Sequence, residues 1–573
     1  MKTPSFLPYK HYLCLFTLIC LTILVYLPGL KGGFIFDDYP NLEQLAQVAQ
    51  SGTWQSIYDF SFSGGAGPTG RPLALLTFAL QASSWPNAPI DFKIINLFIH
   101  ISCGLLLYWA SSSILISYGS DKNKSHWTAL LACGCWLLHP LFVSTTLYTI
   151  QRMAQLPALF SLLGIIGYLQ GRKILCQKPI ISYFIMSFSI VFFTILATYS
   201  KENGALLPLL ILIIEFCHPS LNNKPIWYWR GLFLWTPSLL ILILLCRYID
   251  FSSNPWPERN FNQIQRLMSE GRILCEYLFR LLFPQIEGNG LFQDGYIVSH
   301  GLLQPISTLI SIGVIIFLII FALVFKKSYP LVSLAILFFF SAQIIESTFI
   351  NLELYFEHRN YISAMFLFLP ICMGLVKLSD KISYKLISFT AVVILSILGF
   401  MTFERSTLWS NTDRLKIYWA QHNLNSNRAQ INYAEVLWKH GYYTEANQVL
   451  EHALKHGSQV AIGLQLLNQK VQLGSATQHD INDIQQKLTT QKIDGDVTWR
   501  LRWLVQTIVN DPKATQRYAH GILHVLQVVA KRNYAVNPDF SALNMFLQGQ
   551  LYGALNEQQS AYFCYKISAF SYN

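Results

Sequence analysis

Hydrophobic and polar positions divide this chain into two unlike parts. Up to about residue 400, apolar runs of near 20 residues recur, the length at which an α-helix crosses a hydrocarbon core of roughly 30 Å. They lie at about 10–30, 93–118, 126–146, 154–170, 180–199, 203–217, 231–249, 302–325, 330–346, 360–376 and 384–403. From 405 onward no run is long enough, and apolar residues recur at helical spacing among ordinary polar ones. The expected fold is mainly α: a polytopic membrane domain of about eleven transmembrane helices over 1–404, then a soluble helical domain over 405–573. Residues 255–301 are too polar to cross. Within them Ile264, Leu267, Ile273, Leu274, Tyr277, Leu278, Leu281 and Leu282 fall mostly on one helical face, opposite Arg266, Glu270 and Glu276, which predicts an interfacial helix. The first run lacks a small-residue cleavage site and reads as a retained helix.

Charge adds orientation. Only 12% of residues are charged, against about a quarter in soluble domains. The net charge of +11 is a property of loops: Lys122 and Lys124, Arg172, Lys173 and Lys178, Lys224 and Arg230, Lys326 and Lys327, and Lys377, Lys381 and Lys385 fall in alternate short connections. Such connections face the cytoplasm, so nucleic acid is not an expected partner. The opposite set is longer and not enriched in bases; residues 31–92 carry Asp37, Asp38, Glu43, Asp59 and Asp91 against Lys31 and Arg71. An odd number of crossings places the N-terminus in the cytoplasm and the C-terminal domain outside, in the periplasm of a bacterial inner-membrane protein. The eleven cysteines include no C-x-x-C pair, so neither a disulfide framework nor a zinc site is indicated.

Ionisable residues at the ends of membrane helices are informative because hydrocarbon penalises them. Here they gather on the outer side: Asp37-Asp38 after the first run, Arg71 later in the same loop, His139 at the end of the third run, Arg152 at the start of the fourth, Lys201-Glu202 between the fifth and sixth, and Glu357-His358-Arg359 before the tenth. Adjacent carboxylates suit a base for an acceptor hydroxyl or a divalent-metal site. Arginine and lysine at a lipid boundary suit a phosphate leaving group. Taken singly, each has a plain reading: a solvated loop, a turn ion pair, a snorkelling anchor. Their concentration on one face favours a site.

The ordered segments FDDYPNL (36–42), GRPLALLTFAL (70–80), NLFIHISCGLLLYW (96–109), LHPLFVSTTLYTIQRMAQLPALFSLLG (138–164), SKENGALLPLLILIIE (200–215) and YFEHRNYIS (355–363) resemble the tetratricopeptide-containing GT-C glycosyltransferases. That group is similar to the transmembrane O-mannosyltransferases and, more loosely, to bacterial pilin glycosyltransferases that use polyprenyl-phosphate sugars. The resemblance covers the membrane domain. It implies Asp37 as the catalytic base with Asp38 in support, Arg71, Arg152, Lys201 and Arg359 at the donor phosphate, and His139, Glu202 and His358 as substrate-binding or supporting residues. No cofactor is required; magnesium or manganese at Asp37-Asp38 is an open option, with no full ligand set visible.

In the C-terminal part, residues 432–456 read as one tetratricopeptide repeat through Ala434, Gly441, Tyr443, Ala446, Ala453 and Leu454; residues 542–567 repeat the pattern weakly through Gly549, Tyr552 and Ala561. The expected function is transfer of a sugar from a polyprenyl-phosphate carrier to an extracytoplasmic acceptor, a protein Ser or Thr, with pilin as one candidate and the C-terminal domain contacting the acceptor. The alternatives are transfer to lipid A or a surface polysaccharide, and a non-catalytic transporter of lipid-linked sugar. A transporter favours charges at the bilayer midplane and internal repeats, and neither is visible.

Overall fold

The computed structural model describes residues 10–62, 66–219, 224–252, 255–256, 259–288, 290–456, 460–531 and 538–571. The described residues are helical with no strand. Six helices are long and apolar enough to cross a membrane: Pro89–Ser117, Thr149–Ile174, Pro179–Ser200, Trp227–Cys246, Ser307–Val324 and Tyr384–Leu408. A seventh is reached if Lys122–Leu137 and Pro140–Leu147, bent by 51°, are one broken span. The chain is thus a membrane protein, but helix length does not by itself reach eleven crossings. Lys10–Tyr26, Pro330–Gln343 and Leu369–Leu378 are shorter apolar helices. In the expected span 203–217, a 3₁₀ turn Glu202–Leu206 precedes an α-helix of 11 residues, Leu207–Cys217. Such a helix rises about 16 Å, roughly half of a hydrocarbon core.

Prolines set many of the starts. Pro72, Pro89, Pro140, Pro179 and Pro330 occupy first-turn positions, where the missing N–H has no intrahelical partner to lose. Asp121 caps Lys122–Leu137 by accepting the Lys124 amide at 3.0 Å. Helices Arg152–Ile174 and Pro179–Ser200 pack backbone to side chain. A Cβ at Gly167 would lie 2.1 Å from Ser189 Oγ, and one at Gly171 would lie 2.5 Å from Met186 Cγ. Small residues permit this approach where hydrophobic exclusion from water offers no drive between helices.

The chain forms two compact units. The first comprises Met1–Ile249, Gln265–Leu291 and Ser299–Leu415; the second comprises Asp250–Ile264, Phe292–Val298 and Lys416–Asn573. The first extends past residue 404 because the end of Tyr384–Leu408 and the residues after it clasp the loop that follows Lys10–Tyr26. The Gly29 amide donates to Ser406 Oγ at 3.1 Å and the Gly33 amide to Thr412 Oγ1 at 3.0 Å.

The amphipathic segment forms helix Gln263–Leu282, with its charges on the inside. Arg266, Glu270, Ile273, Tyr277 and Leu281 are buried, while Ile264, Phe279 and Leu282 are exposed. Ile273, Tyr277 and Leu281 thus share the inner face with Arg266 and Glu270 instead of lying opposite them, and the outward Ile264, Phe279 and Leu282 fit an apolar environment.

In the second unit, Asn427–Lys439 and Tyr443–His456 form a helical hairpin whose turn needs Gly441 at φ +83°. Ala434, Ala446, Leu450 and Ala453 belong to its core. Pro538–Ala554 and Gln558–Ser571 form the last hairpin, where a Cβ at Gly549 would lie 2.7 Å from the Tyr565 ring.

Candidate functional site

The outer-end residues of the first unit are organised by one short turn. After helix Val143–Leu147, Tyr148 is extended, a 3₁₀ turn Thr149–Gln151 follows, and helix Arg152–Ile174 begins. The polar groups of this turn reach three other segments. The Tyr148 hydroxyl accepts the Asp37 amide at 2.7 Å, and the Ile150 amide donates to Asp38 Oδ1 at 2.8 Å. Asn96 Nδ2 donates to the Thr149 carbonyl at 3.1 Å. Met153 Sδ lies 3.6 Å from the Arg71 guanidinium.

Asp37 and Asp38 are adjacent but differ in environment. Phe36, just before them, has φ +44°, a left-handed conformation that strains a residue with a side chain. Asp37 is half-buried; Asp38 is fully buried, and its Oδ2 accepts the Ile35 amide at 2.9 Å. Burial pushes the Asp38 carboxyl up to about 7, against the two amides and the charge of Lys93, which pull it down. Each Asp38 oxygen accepts one backbone amide. Among the described residues no three or more His, Cys, Asp or Glu side chains come together as a ligand set.

Arg71 also has a strained backbone, with φ +49°. It follows a loop that needs Gly67, at φ +91°, because a Cβ there would lie 2.8 Å from Glu202 Oε1. Arg71 grips Glu202 through Nε at 3.2 Å and a terminal nitrogen at 2.9 Å, and Thr69 Oγ1 donates to the same carboxylate at 2.9 Å. Burial alone would raise the Glu202 carboxyl; the Arg71 charge and hydrogen bonds outweigh it and hold the group below its ordinary value.

Beside Glu202, Lys201 is ion-paired to Glu346. The Glu346 carbonyl accepts from Arg266 at 2.6 Å, Arg266 pairs with Glu270 at 3.0 Å, and Glu270 meets Arg359 at 3.4 Å. Arg359 also donates to the Leu354 carbonyl at 2.6 Å and to that of Glu353. His358, half-buried and stacked on Phe356, stands in the field of these cations. Burial first, then Lys201, Arg359 and Arg71, hold its imidazole well below its usual pKa, in the neutral form.

The contacts thus group Asp37 and Asp38 on the Tyr148–Ile150 turn, Arg71 with Glu202, and Lys201 with Arg359 through Glu346, Arg266 and Glu270, with His358 in the field of these cations. Arg152 is placed differently. Its guanidinium is enclosed and saturated, donating to Asn96 Oδ1 at 2.9 Å, the Thr77 carbonyl at 3.0 Å, Gln81 Oε1 at 2.7 Å and the Phe92 carbonyl at 3.0 Å, with the Phe78 ring 4.4 Å away. It ties three segments together and offers no donor outward. His139 stands apart: Nδ1 accepts the Leu141 amide at 3.2 Å and Nε2 donates to the Leu281 carbonyl at 3.0 Å. Its neighbourhood holds a second buried ion pair, Arg405 with Glu357 at 3.0 Å, to which Ser144 donates at 2.7 Å.

Sequence reasoning passed over Lys93, Tyr148, Arg266, Glu270, Glu346 and Arg405. For Lys93 and Glu346 a signal existed: each is an ionisable residue at the end of an apolar run, which is costly without a partner. Tyr148 and Asn96 carried none, because aromatic and amide residues at helix ends are commonplace.

Over 217 residues the chain is 24% identical to a protein O-mannosyl-transferase of Caenorhabditis elegans, a stretch that makes up 37% of this chain and 29% of that protein. The chain thus matches less than a third of the length of this curated relative, a distant relationship to a glycosyltransferase. No protein-family profile matches the chain, and no solved structure matches it.

Proposed function

We infer that the chain is a membrane glycosyltransferase of GT-C type that moves a sugar from a polyprenyl-phosphate carrier to a Ser or Thr hydroxyl of a protein outside the cytoplasm. The observation that carries this reading is a pair of features in the first unit. Asp37 is held beside Tyr148 after the strained Phe36, and Lys201, Arg359 and Arg71 set a positive field at His358. The first suits removal of a proton; the second suits an anion. The distant resemblance to a protein O-mannosyl-transferase supports the same reaction class.

In this reading Asp37 takes the proton of the acceptor hydroxyl as its oxygen bonds to the anomeric carbon. The bond from that carbon to the phosphate oxygen breaks, and its electron pair leaves with the polyprenyl phosphate. Direct displacement inverts the anomeric configuration. Arg71 and Lys201 meet the leaving charge, and interactions that strengthen as charge develops lower the barrier. Glu202 and Glu346 hold those two cations in place, while Asp38 and Arg152 shape the turn beneath. The tetratricopeptide-like helices of the second unit receive the acceptor, with pilin one candidate, and the chain sits in a bacterial inner membrane with those helices in the periplasm.

Intact-mass comparison of extracytoplasmic proteins tests this, using a deletion strain complemented with the wild-type chain or with Asp37→Asn. Loss of a hexose-sized or larger adduct from a surface protein, restored only by wild type, is expected. Identical protein masses in all three strains would overturn the reading, and an adduct change confined to lipid A or polysaccharide would redirect it to that acceptor.

A further inference from the structure

The second unit contains a feature that lies away from its expected repeat at 432–456. A groove of about 710 Å³ runs between the start of helix Pro512–Ala530 and the end of helix Pro538–Ala554, lined in part by Thr515, Gln516, Gln550, Gly553, Asn556 and Tyr565. That volume falls in the range of about 300–1,000 Å³ typical of ligand sites. Its chemistry is unusual for a basic protein: among the described residues no Asp, Glu, Lys, Arg or His lines it.

Three side-chain amides line the groove, and among the described residues Gln550 Oε1, a buried acceptor, has no hydrogen-bond partner. A buried acceptor without a donor costs about 1–3 kcal/mol, and rotation of the Gln550 amide toward the groove would let an incoming donor satisfy it. Each Gln or Asn amide offers one acceptor and two donors, the complement of a peptide group's own N–H and C=O. A lipid chain has no use for such groups, and a charged peptide would find no counter-charge. Gly553 leaves the floor open, with nothing within 4 Å of where its Cβ would stand. Tyr565, packed on Gly549, forms one wall, and the exposed Tyr562 and Phe563 lie on the same helix.

We propose that this groove binds an extended, uncharged polypeptide segment rich in small hydroxyl and amide side chains, gripping its backbone through Gln516, Gln550 and Asn556. This rests on the reading of the chain as one that modifies proteins and names the part of the acceptor that docks, a neutral Ser/Thr/Asn/Gly-rich stretch rather than the modified residue itself.

The test uses the full chain in detergent and fluorescence anisotropy with labelled 12-residue peptides. One set is neutral and rich in Ser, Thr, Asn and Gly, the other identical but with Asp or Lys at every third position. The neutral peptides are expected to bind and the charged ones to bind at least tenfold more weakly. Gly553→Trp, which fills the floor, and the double variant Gln516→Ala/Gln550→Ala should each weaken neutral-peptide binding at least tenfold, with circular dichroism and melting unchanged. The double variant adds no bulk, so it decides the matter if Gly553→Trp unfolds. Equal binding of all peptides, binding untouched by the double variant, or a preference for a neutral oligosaccharide such as maltoheptaose over every peptide would each overturn the proposal. A chain that binds peptide but modifies no protein would refute the transferase reading alone.

Discussion

Asp38 and Ile150 lie 112 residues apart, yet Asp38 Oδ1 accepts the Ile150 amide at 2.8 Å in the interior of the first unit. That bond, with the Ile35 amide on the other oxygen, makes Asp38 an anchor, and the proposed mechanism assigns the proton transfer to its half-buried neighbour Asp37. Asp37→Asn keeps size and shape but cannot take a proton. It should express normally and lose transfer by about 10² to 10⁴, the range of general-base contributions, whereas Asp38→Asn should lose less. The measurement is transfer rate at saturating donor; equal rates for wild type and Asp37→Asn would remove Asp37 from the chemistry.

Asp38 also predicts a pH dependence of stability. Its carboxyl rises from an ordinary 3.8 to about 7 on folding, so between those values the folded chain binds a proton that the unfolded chain has released. Stability from this group is fully present below pH 4 and is lost as pH rises toward 7. Thermal unfolding of the detergent-solubilised chain should show this decline superimposed on other titrations, and Asp38→Asn should flatten it. An unchanged slope in the variant would show that Asp38 ionises normally.

Two arginines predicted for the donor phosphate should part company. Arg152→Ala removes donors from Asn96, Thr77, Gln81 and Phe92, at on the order of 1–3 kcal/mol for each buried acceptor left alone. Its signature is a lowered melting temperature or failure to accumulate. Arg71, a fifth exposed in its side chain, sits where a ligand can reach it. Arg71→Ala should retain its fold and lose transfer at least about tenfold, equivalent to about 1.4 kcal/mol. Melting curves and turnover measured on both variants separate the roles, and full turnover by Arg71→Ala would dismiss it as a phosphate ligand.

Orientation is open to direct measurement. Alkaline phosphatase fused after Phe400 should be active, and fusions at Lys124, Lys224 or Lys327 inactive. The reverse pattern would put the Asp37 loop in the cytoplasm and exclude an extracytoplasmic acceptor.

Helix packing gives a last expectation. At Gly171 a Cβ would meet Met186 Cγ at 2.5 Å and the Ser182 carbonyl at 3.1 Å. Gly171→Leu therefore has to separate Arg152–Ile174 from Pro179–Ser200, destabilising by about 1–3 kcal/mol through overpacking, read as earlier unfolding. An unaltered melting temperature would show that the two helices can part without loss.

What the amino-acid order determined by itself is whatever depends on near neighbours. Apolar run length, loop charge and the proline positions marked the helices, the membrane character and the polar C-terminal part, because those properties arise within about 20 residues of chain. The same reasoning picked out Asp37, Arg71 and Lys201 as candidates, since charges beside apolar runs stand out locally. Tertiary structure decided where each charge sits and what it touches. Arg152 and Arg71 look equivalent in sequence, but one is surrounded by the carbonyls and amides of three segments while the other keeps an accessible face. Helix Gln263–Leu282 is amphipathic by any count, yet only its packing turned Arg266 and Glu270 inward, where Glu346 and Arg359 complete their pairing. The reason is electrostatic: a charge near hydrocarbon is tolerable only with a partner, and for Lys201 that partner lies 145 residues away along the chain.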